Sequence, residues 1–232
     1  MPTWPRPRVP TRSRTRGLAR ITASFVTSVA GPGGFPKEAL PEITFIGRSN
    51  VGKSSLINAL TRVALARTSA APGKTRLANY YRLQREGEAP FFLVDLPGYG
   101  YARGGQKAAA EFDALVRAYF HRQDREGASP VRGAFLLVDS RHPGIESDSY
   151  AWAWLEELDV DRGVVATKVD KLTRAERQRH LREIEAHHQG PVLPVSAVSG
   201  EGLDELWKQI ASLLRRPPLP NRNKSSRSTS PP

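Results

Sequence analysis

Residues Gly47 to Ser54 read GRSNVGKS and lie between an apolar run, Ile43–Gly47 (ITFIG), and a segment of helical spacing, Lys53–Arg62 (KSSLINALTR). The octapeptide fits G-x-x-x-x-G-K-[ST], a pattern with a mechanism when a strand precedes it and a helix follows. Its glycines let backbone N–H groups turn inward around phosphate oxygens, and the helix N-terminus adds its dipole. Lys53 supplies a point charge for the β- and γ-phosphates, and the Ser54 hydroxyl can ligate Mg²⁺. Gly47, Arg48, Ser49, Asn50, Val51, Gly52, Lys53, Ser54 and Ser55 form the expected phosphate-binding set. A glycine turn of purely structural use is the alternative, and strand, spacing and helix together weigh against it.

Outward from this loop, short apolar runs alternate with helical patterns. Leu77–Gln84, Phe91–Leu96, Ala134–Asp139, Val164–Thr167 and Val192–Ser196 read as further strands. Helices are expected over Lys107–Arg125, Ser147–Leu158, Thr173–His187 and Leu203–Leu214, with Thr173 and Glu176 forming a capping box. Runs such as FLLVD and GVVAT are apolar throughout, as expected of strands covered on both faces. The alternation predicts an α/β P-loop NTPase fold: a doubly wound, mostly parallel six-stranded sheet with helices on both faces.

Three further loops carry chemistry. Asp95-Leu96-Pro97-Gly98 ends the apolar strand FFLVD. A carboxylate there can hold Mg²⁺ through water, and the Gly98 amide can approach the γ-phosphate. D-x-x-G alone is also an ordinary turn, and its position about forty residues after a phosphate loop gives it force. Thr167-Lys168-Val169-Asp170 follows the strand GVVA. The Asp170 carboxylate can accept from the N1–H and N2 amine of guanine, donors that adenine lacks in that arrangement, and such a site discriminates strongly. Ser196-Ala197 follows the last strand, where a backbone amide can meet the guanine O6. Between the first two motifs lies Pro72-Gly73-Lys74-Thr75-Arg76. Thr75, flanked by Gly73 and Lys74, is the candidate for a threonine that orders onto Mg²⁺ when the γ-phosphate is present. Lys53, Thr75 and Gly98 are thus the expected catalytic set, and Ser54, Thr75 and, through water, Asp95 the expected Mg²⁺ set.

Composition sets the limits. The chain has 232 residues and no cysteine, which excludes disulfides and thiolate metal sites and fits a reducing compartment. No apolar run approaches the ~20 residues needed to span a bilayer, so no membrane association is expected. The net charge of +12 is concentrated at the ends: residues 1–20 contribute +6 and residues 215–232 +5, leaving +1 between them. Both ends read as disordered basic tails around one domain over 21–214. They either neutralise phosphates on RNA or solubilise the termini. The Arg-rich start followed by Ile21–Ala30 (ITASFVTSVA) faintly resembles a leader, but Thr22, Ser24, Thr27 and Ser28 make a poor apolar region. The cytoplasm is the default, with an organellar stroma or matrix as the alternative.

The runs GRSNVGKSSLINAL, PGKTRLANYY, VDLPGYGYA, DSRHP and TKVDKL together resemble the EngB family of bacterial and organellar GTPases, over roughly residues 22–214. The resemblance implies a Mg²⁺-dependent protein binding GTP and GDP and acting on a large ribosomal subunit precursor and its rRNA; a monomer is expected. It also implies a link to normal cell division and septation. Ser54 and Thr75 fall on the family's Mg²⁺ ligands, whereas Val169 stands where a small residue is usual. In GTPases with a similar G-x-x-N-x-G-K-S loop, the position of Asn50 coordinates a potassium ion; here Asn50 either holds K⁺ with backbone carbonyls near Lys74 or hydrogen-bonds the loop backbone. Tyr99 occupies the place where GTPases of the Ras type carry a water-orienting glutamine, and Gln106, after Gly104-Gly105, is a weak substitute. Intrinsic hydrolysis is therefore expected to be slow. The rival reading is a nucleotide-dependent binding module with negligible turnover.

Trp152 and Trp154, two apart on a helix, are expected on different faces, with at least one in the core. His187-His188 is expected at a solvated helix end.

Overall fold

The computed structural model describes residues 20–66, 77–99, 105–123, 127–158 and 160–217, with the side chains of Pro32 and residues 105–111 excepted. Seven strands and five α-helices follow in the order β1 (Ile21–Val29), β2 (Glu42–Gly47), α1 (Lys53–Thr61), β3 (Ala78–Arg85), β4 (Phe91–Asp95), α2 (Gly105–Phe120), β5 (Val131–Asp139), α3 (Glu146–Glu157), β6 (Arg162–Thr167), α4 (Arg174–His188), β7 (Val192–Pro194) and α5 (Leu203–Leu214). The sheet order is β1-β3-β4-β2-β5-β6-β7. Strands β4, β2, β5, β6 and β7 run parallel, and β3 and β1 extend one edge antiparallel.

The sheet has seven strands, one more than expected. Ile21–Val29 is β1, paired antiparallel to β3 from Ile21 opposite Arg85 to Val29 opposite Ala78. Its hydroxyl-rich sequence, poor as a leader, suits an edge strand, because half of its side chains face solvent and β-branched residues fit a pleated surface. The register shifts between Phe25 and Thr27, a bulge of the kind that bends sheet edges.

Period-two alternation divides the apolar strands between two cores. Along β5, Ala134, Leu136 and Val138 join one core, with Tyr119 of α2, Leu155 of α3 and Ile184 of α4. Phe135 and Leu137 point the other way, to Leu56, Ile57 and Leu60 of α1 and to Leu206, Trp207 and Ile210 of α5. The rings of Phe45 and Phe135 meet edge to face on this second side, 6.0 Å between centroids. Thr173 caps α4 through the expected box with Glu176.

Trp152 and Trp154 both pack against the first core. His188 departs from expectation: it is buried, with Trp152 edge to face at 5.5 Å and Nδ1 on the Ile184 carbonyl at 2.8 Å. His187 and Gln189 are solvated while His188 between them turns inward onto Trp152 of α3.

Doubly wound sheets bind ligands outside the carboxyl ends of their strands, where the strand order reverses. Here β2 is that point, with β4 on one side and β5 on the other. Phe135, at the centre of the second core and wholly buried, fixes β5 beneath it. Phe135→Ala should lower unfolding free energy by about 3–5 kcal/mol, read by urea denaturation. A loss under about 1 kcal/mol would mean that this side of the sheet repacks without it.

Candidate functional site

Five connections leave the carboxyl ends of the parallel strands, and they contain the motifs read from the sequence. Residues 48–52 follow β2, 96–99 follow β4, 140–145 follow β5, 168–172 follow β6, and Val195–Ala197 follow β7.

The loop after β2 is built by tight backbone contacts. A Cβ on Gly47 would stand 2.8 Å from the Leu137 carbonyl oxygen and 2.9 Å from a Val51 methyl, so only glycine lets the strand leave at that angle. Gly52 caps α1 with φ of 110°, a conformation that only glycine adopts readily. Asn50 also has positive φ, at 64°, which asparagine tolerates better than most residues. Its side chain makes no hydrogen bond among the described residues, while its carbonyl accepts from Lys168 Nζ at 2.6 Å. The Lys53 ammonium folds back over the loop, donating to the Gly47 carbonyl at 3.1 Å.

Lys53 and Asp95 sit close but do not satisfy each other. Nζ is 3.9 Å from Asp95 Oδ1, and both side chains are nearly buried. Burial pulls the Lys53 ammonium below its ordinary range, against the attraction of Asp95. Burial likewise pushes the Asp95 carboxyl up, opposed by Lys53 and by a hydrogen bond from Asn79. Asp95 Oδ1 is buried with no hydrogen-bond partner among the described residues. An orphaned carboxylate oxygen is costly, and a hydrated divalent cation beside Ser54 fits it in both charge and hydrogen bonding.

The turn after β4 presses against the same loop. A Cβ on Gly98 would lie 2.8 Å from both the backbone nitrogen and the hydroxyl oxygen of Ser49, so the loop and the turn move as neighbours. Leu96 and Pro97 are buried beneath them.

The loop after β6 is tied to the phosphate loop. Thr167 Oγ1 lies 2.6 Å from the Val51 carbonyl and 3.1 Å from that of Val138, and its hydroxyl donates between them. Lys168 is held at φ of 61°. Val169, unusual for the family resemblance, is buried with its amide on the Val195 carbonyl at 3.4 Å, so its larger side chain is accommodated inward. The Asp170 carboxylate accepts from Ser196 Oγ at 2.7 Å, and that oxygen in turn accepts from the amides of Val198 and Ser199. Gly52, Ser55, Thr167, Lys168, Asp170 and Ala197 are among the residues lining a cavity of about 180 Å³ beside these groups. The cavity is mostly apolar, with one carboxylate at its side, which suits a flat base. Gly73, Lys74 and Thr75 lie outside the described residues, as does the side chain of Gln106.

A model described as a 50S ribosome-binding GTPase matches residues 42–168. The protein called "Probable GTP-binding protein EngB" in Solibacter usitatus is 43% identical over 199 residues, covering 85% of this chain and 99% of its own. The chain belongs to the EngB family of GTPases. A crystal structure of an EngB protein superposes with a TM-score of 0.55 at 22% identity, over 75% of this chain and 98% of that one. Aquifex aeolicus Era bound to GDP and AlF₄⁻ gives 0.63 at 23% identity, over 76% of this chain. This chain spans only 57% of the length of Era, and the likeness shows the fold.

The EngB motifs are joined by residues to which sequence reasoning gave no role. Asp139, at the end of β5, accepts the Lys168 ammonium on Oδ2 at 2.8 Å. Arg141 embraces both oxygens of Asp139, at 2.9 and 2.8 Å, and its backbone amide adds a third bond at 3.1 Å. Burial raises the Asp139 carboxyl, but these donors outweigh it and hold the pKa down to about 2. The signal was present as a carboxylate ending an apolar strand, with the arginine of DSRHP two residues on.

Lys168 thus spans Asp139 and the Asn50 carbonyl, linking β5, the loop after β6 and the loop after β2. Asp139→Asn should weaken GDP and GTP alike by about tenfold, the worth of one charge-assisted hydrogen bond, and leave guanine preferred over xanthine. Titration with fluorescent nucleotides checks this; unchanged affinity would show that Lys168 holds its place without the carboxylate.

Proposed function

We propose that this GTPase is a Mg²⁺-dependent switch acting in assembly of the large ribosomal subunit, in the cytoplasm and as a monomer. By family resemblance, its loss would disturb cell division and septation. The observation that carries the switch is the buried Lys53–Asp95 pair: two opposite charges, neither well satisfied, that a nucleotide triphosphate with a divalent cation would stabilise together. Ser54, Thr75 and, through water, Asp95 would hold the Mg²⁺, which when bound would supply positive charge beside the phosphates. Lys53 binds the phosphates, and the amide of Gly98 meets the γ-phosphate. Asp170 selects guanine, aimed by the Ser196 hydroxyl, with Ala197 flanking the base. Among the described residues no helix is long and apolar enough to cross a membrane.

The ribosomal partner is supported by the matching model's description as a 50S ribosome-binding GTPase. The basic ends, within residues 1–20 and 215–232, would add phosphate contacts without specifying a sequence. Co-sedimentation with ribosomal subunits should show retention with a non-hydrolysable GTP analogue and release with GDP. Equal retention in both states would remove the switch. Asp170→Asn should lose GTP and gain xanthosine nucleotides, because the amide donates to the C2 carbonyl of xanthine; an unchanged preference would displace the guanine loop from residues 167–170.

A second reading, a binding module with negligible turnover, is favoured by Tyr99, a phenol where Ras-type GTPases orient water with an amide. K⁺ at Asn50 is the counter-proposal, since a fixed cation would supply the missing charge. Among the described residues the Asn50 side chain makes no hydrogen bond, which leaves it open to that role. Turnover should be faster in KCl than in NaCl at equal ionic strength, and Asn50→Ala should abolish the difference. Identical wild-type rates in the two salts would leave Asn50 without this role.

A further inference from the structure

Asp148, in the first turn of α3, belongs to none of the loops described above, yet its carboxylate is buried at 3% exposure. Its Oδ1 accepts two hydrogen bonds from distant parts of the chain: Arg48 Nε at 3.0 Å and Tyr99 Oη at 2.9 Å. Arg48 is the second residue of the phosphate loop. Tyr99 immediately follows Gly98, and its backbone is bridged in parallel to that of Arg48. One oxygen on α3 therefore ties the phosphate loop to the turn whose glycine amide would meet the γ-phosphate.

A bland role, an acidic residue favouring a helix N-terminus, accounts for the position of Asp148 but not for its burial under two donors. The chemistry around it keeps the clasp closed. Burial raises the Asp148 carboxyl, and the Arg48 guanidinium opposes this most strongly, followed by the Tyr99 hydroxyl. Burial and the neighbouring carboxylate push the Tyr99 hydroxyl far up, so it remains a donor. His188 of α4 is the other titratable group facing Asp148, and burial holds it towards its neutral form.

We propose that Asp148 is a positioning residue for the γ-phosphate contact, holding Tyr99 against Arg48 so that the adjoining Gly98 amide is in place before GTP binds. This rests on the switch reading above. Ordering a backbone residue costs conformational entropy. A turn already pinned in the free protein leaves more of the interaction with the γ-phosphate to appear as affinity. GDP has no γ-phosphate and makes no use of Gly98, so the clasp stabilises one nucleotide state over the other.

The test is the affinity of the full chain for fluorescent GDP and for a fluorescent non-hydrolysable GTP analogue, in Mg²⁺. Wild type, Asp148→Asn, Tyr99→Phe and the double variant are compared. Each single variant should weaken the GTP analogue by about tenfold, as expected for one charge-assisted hydrogen bond, and move GDP by less than about twofold. The double variant should lose little more than either single one, because both break the same clasp. Tyr99→Phe removes a single oxygen from a half-buried ring and keeps the test decisive if Asp148→Asn folds poorly. Equal losses for both nucleotides, additive losses, or tighter binding of the GTP analogue would overturn the proposal. Wild-type protein that bound neither nucleotide would remove the switch reading itself, and this proposal with it.

Discussion

The Lys168 ammonium lies between the Asn50 carbonyl and the Asp139 carboxylate, and the mutual arrangement of the loops after β2, β5 and β6 depends on it. A buried ion pair alone is a poor source of stability, since desolvation offsets most of its attraction. This one has its remaining valences filled: Asp139 takes three bonds from Arg141 and one from Lys168. The depressed Asp139 pKa, about 2 against an ordinary 3.8, corresponds to about 2 kcal/mol in favour of the folded state. That contribution is present above pH ~4 and lost as pH falls through about 2. Its value lies less in stability than in register, because it joins three separate strand ends into one surface. With Lys168 fixed, Thr167 reaches the Val51 carbonyl, and Gly52 has its left-handed turn closed from above.

The same logic explains why both glycines of the phosphate loop are indispensable in different ways. Gly47 is constrained by space, since Leu137 of the neighbouring strand occupies the position of any Cβ. Gly52 is constrained by backbone conformation, with room around it but a φ of 110°. Two independent demands are met by one residue type, and this makes the G-x-x-x-x-G spacing informative when a strand and a helix flank it.

That distinction also marks what could be read without coordinates. The phosphate and guanine loops are local: each is a few consecutive residues whose backbone geometry demands particular types, so GRSNVGKS, DLPG and TKVD announce themselves. The apolar runs Phe91–Asp95 and Val131–Asp139 are equally legible, because strands covered on both faces have few other compositions. Ile21–Val29 was not, since an edge strand is half solvated and its Thr and Ser residues resemble linker as much as sheet. Its pairing with β3 is fixed by partners 49 to 64 residues away, from Val29 opposite Ala78 to Ile21 opposite Arg85. Asp139 and Asp148 escaped for a related reason. Their functions reside in side-chain contacts across the fold, and neither DSRHP nor GIESD carries a spacing rule that names the partner.

Tyr99 shows how such long-range contacts alter the meaning of a local motif. Read alone, a tyrosine after D-x-x-G is a missing glutamine. In the structure the hydroxyl is engaged with Asp148, so the phenol is a strut between the turn and α3, and its loss of water-orienting chemistry is accompanied by a gain in mechanical connection. Helix α3 in turn meets α4 where His188 packs on Trp152. The first turn of α3 thus touches the loops after β2 and β4, while its later turns pack Leu155, Trp152 and Trp154 on the first core and leave Tyr150 exposed. Asp148 therefore gives Tyr99 and Arg48 a shared acceptor on a separate element, a contact that no local motif announces.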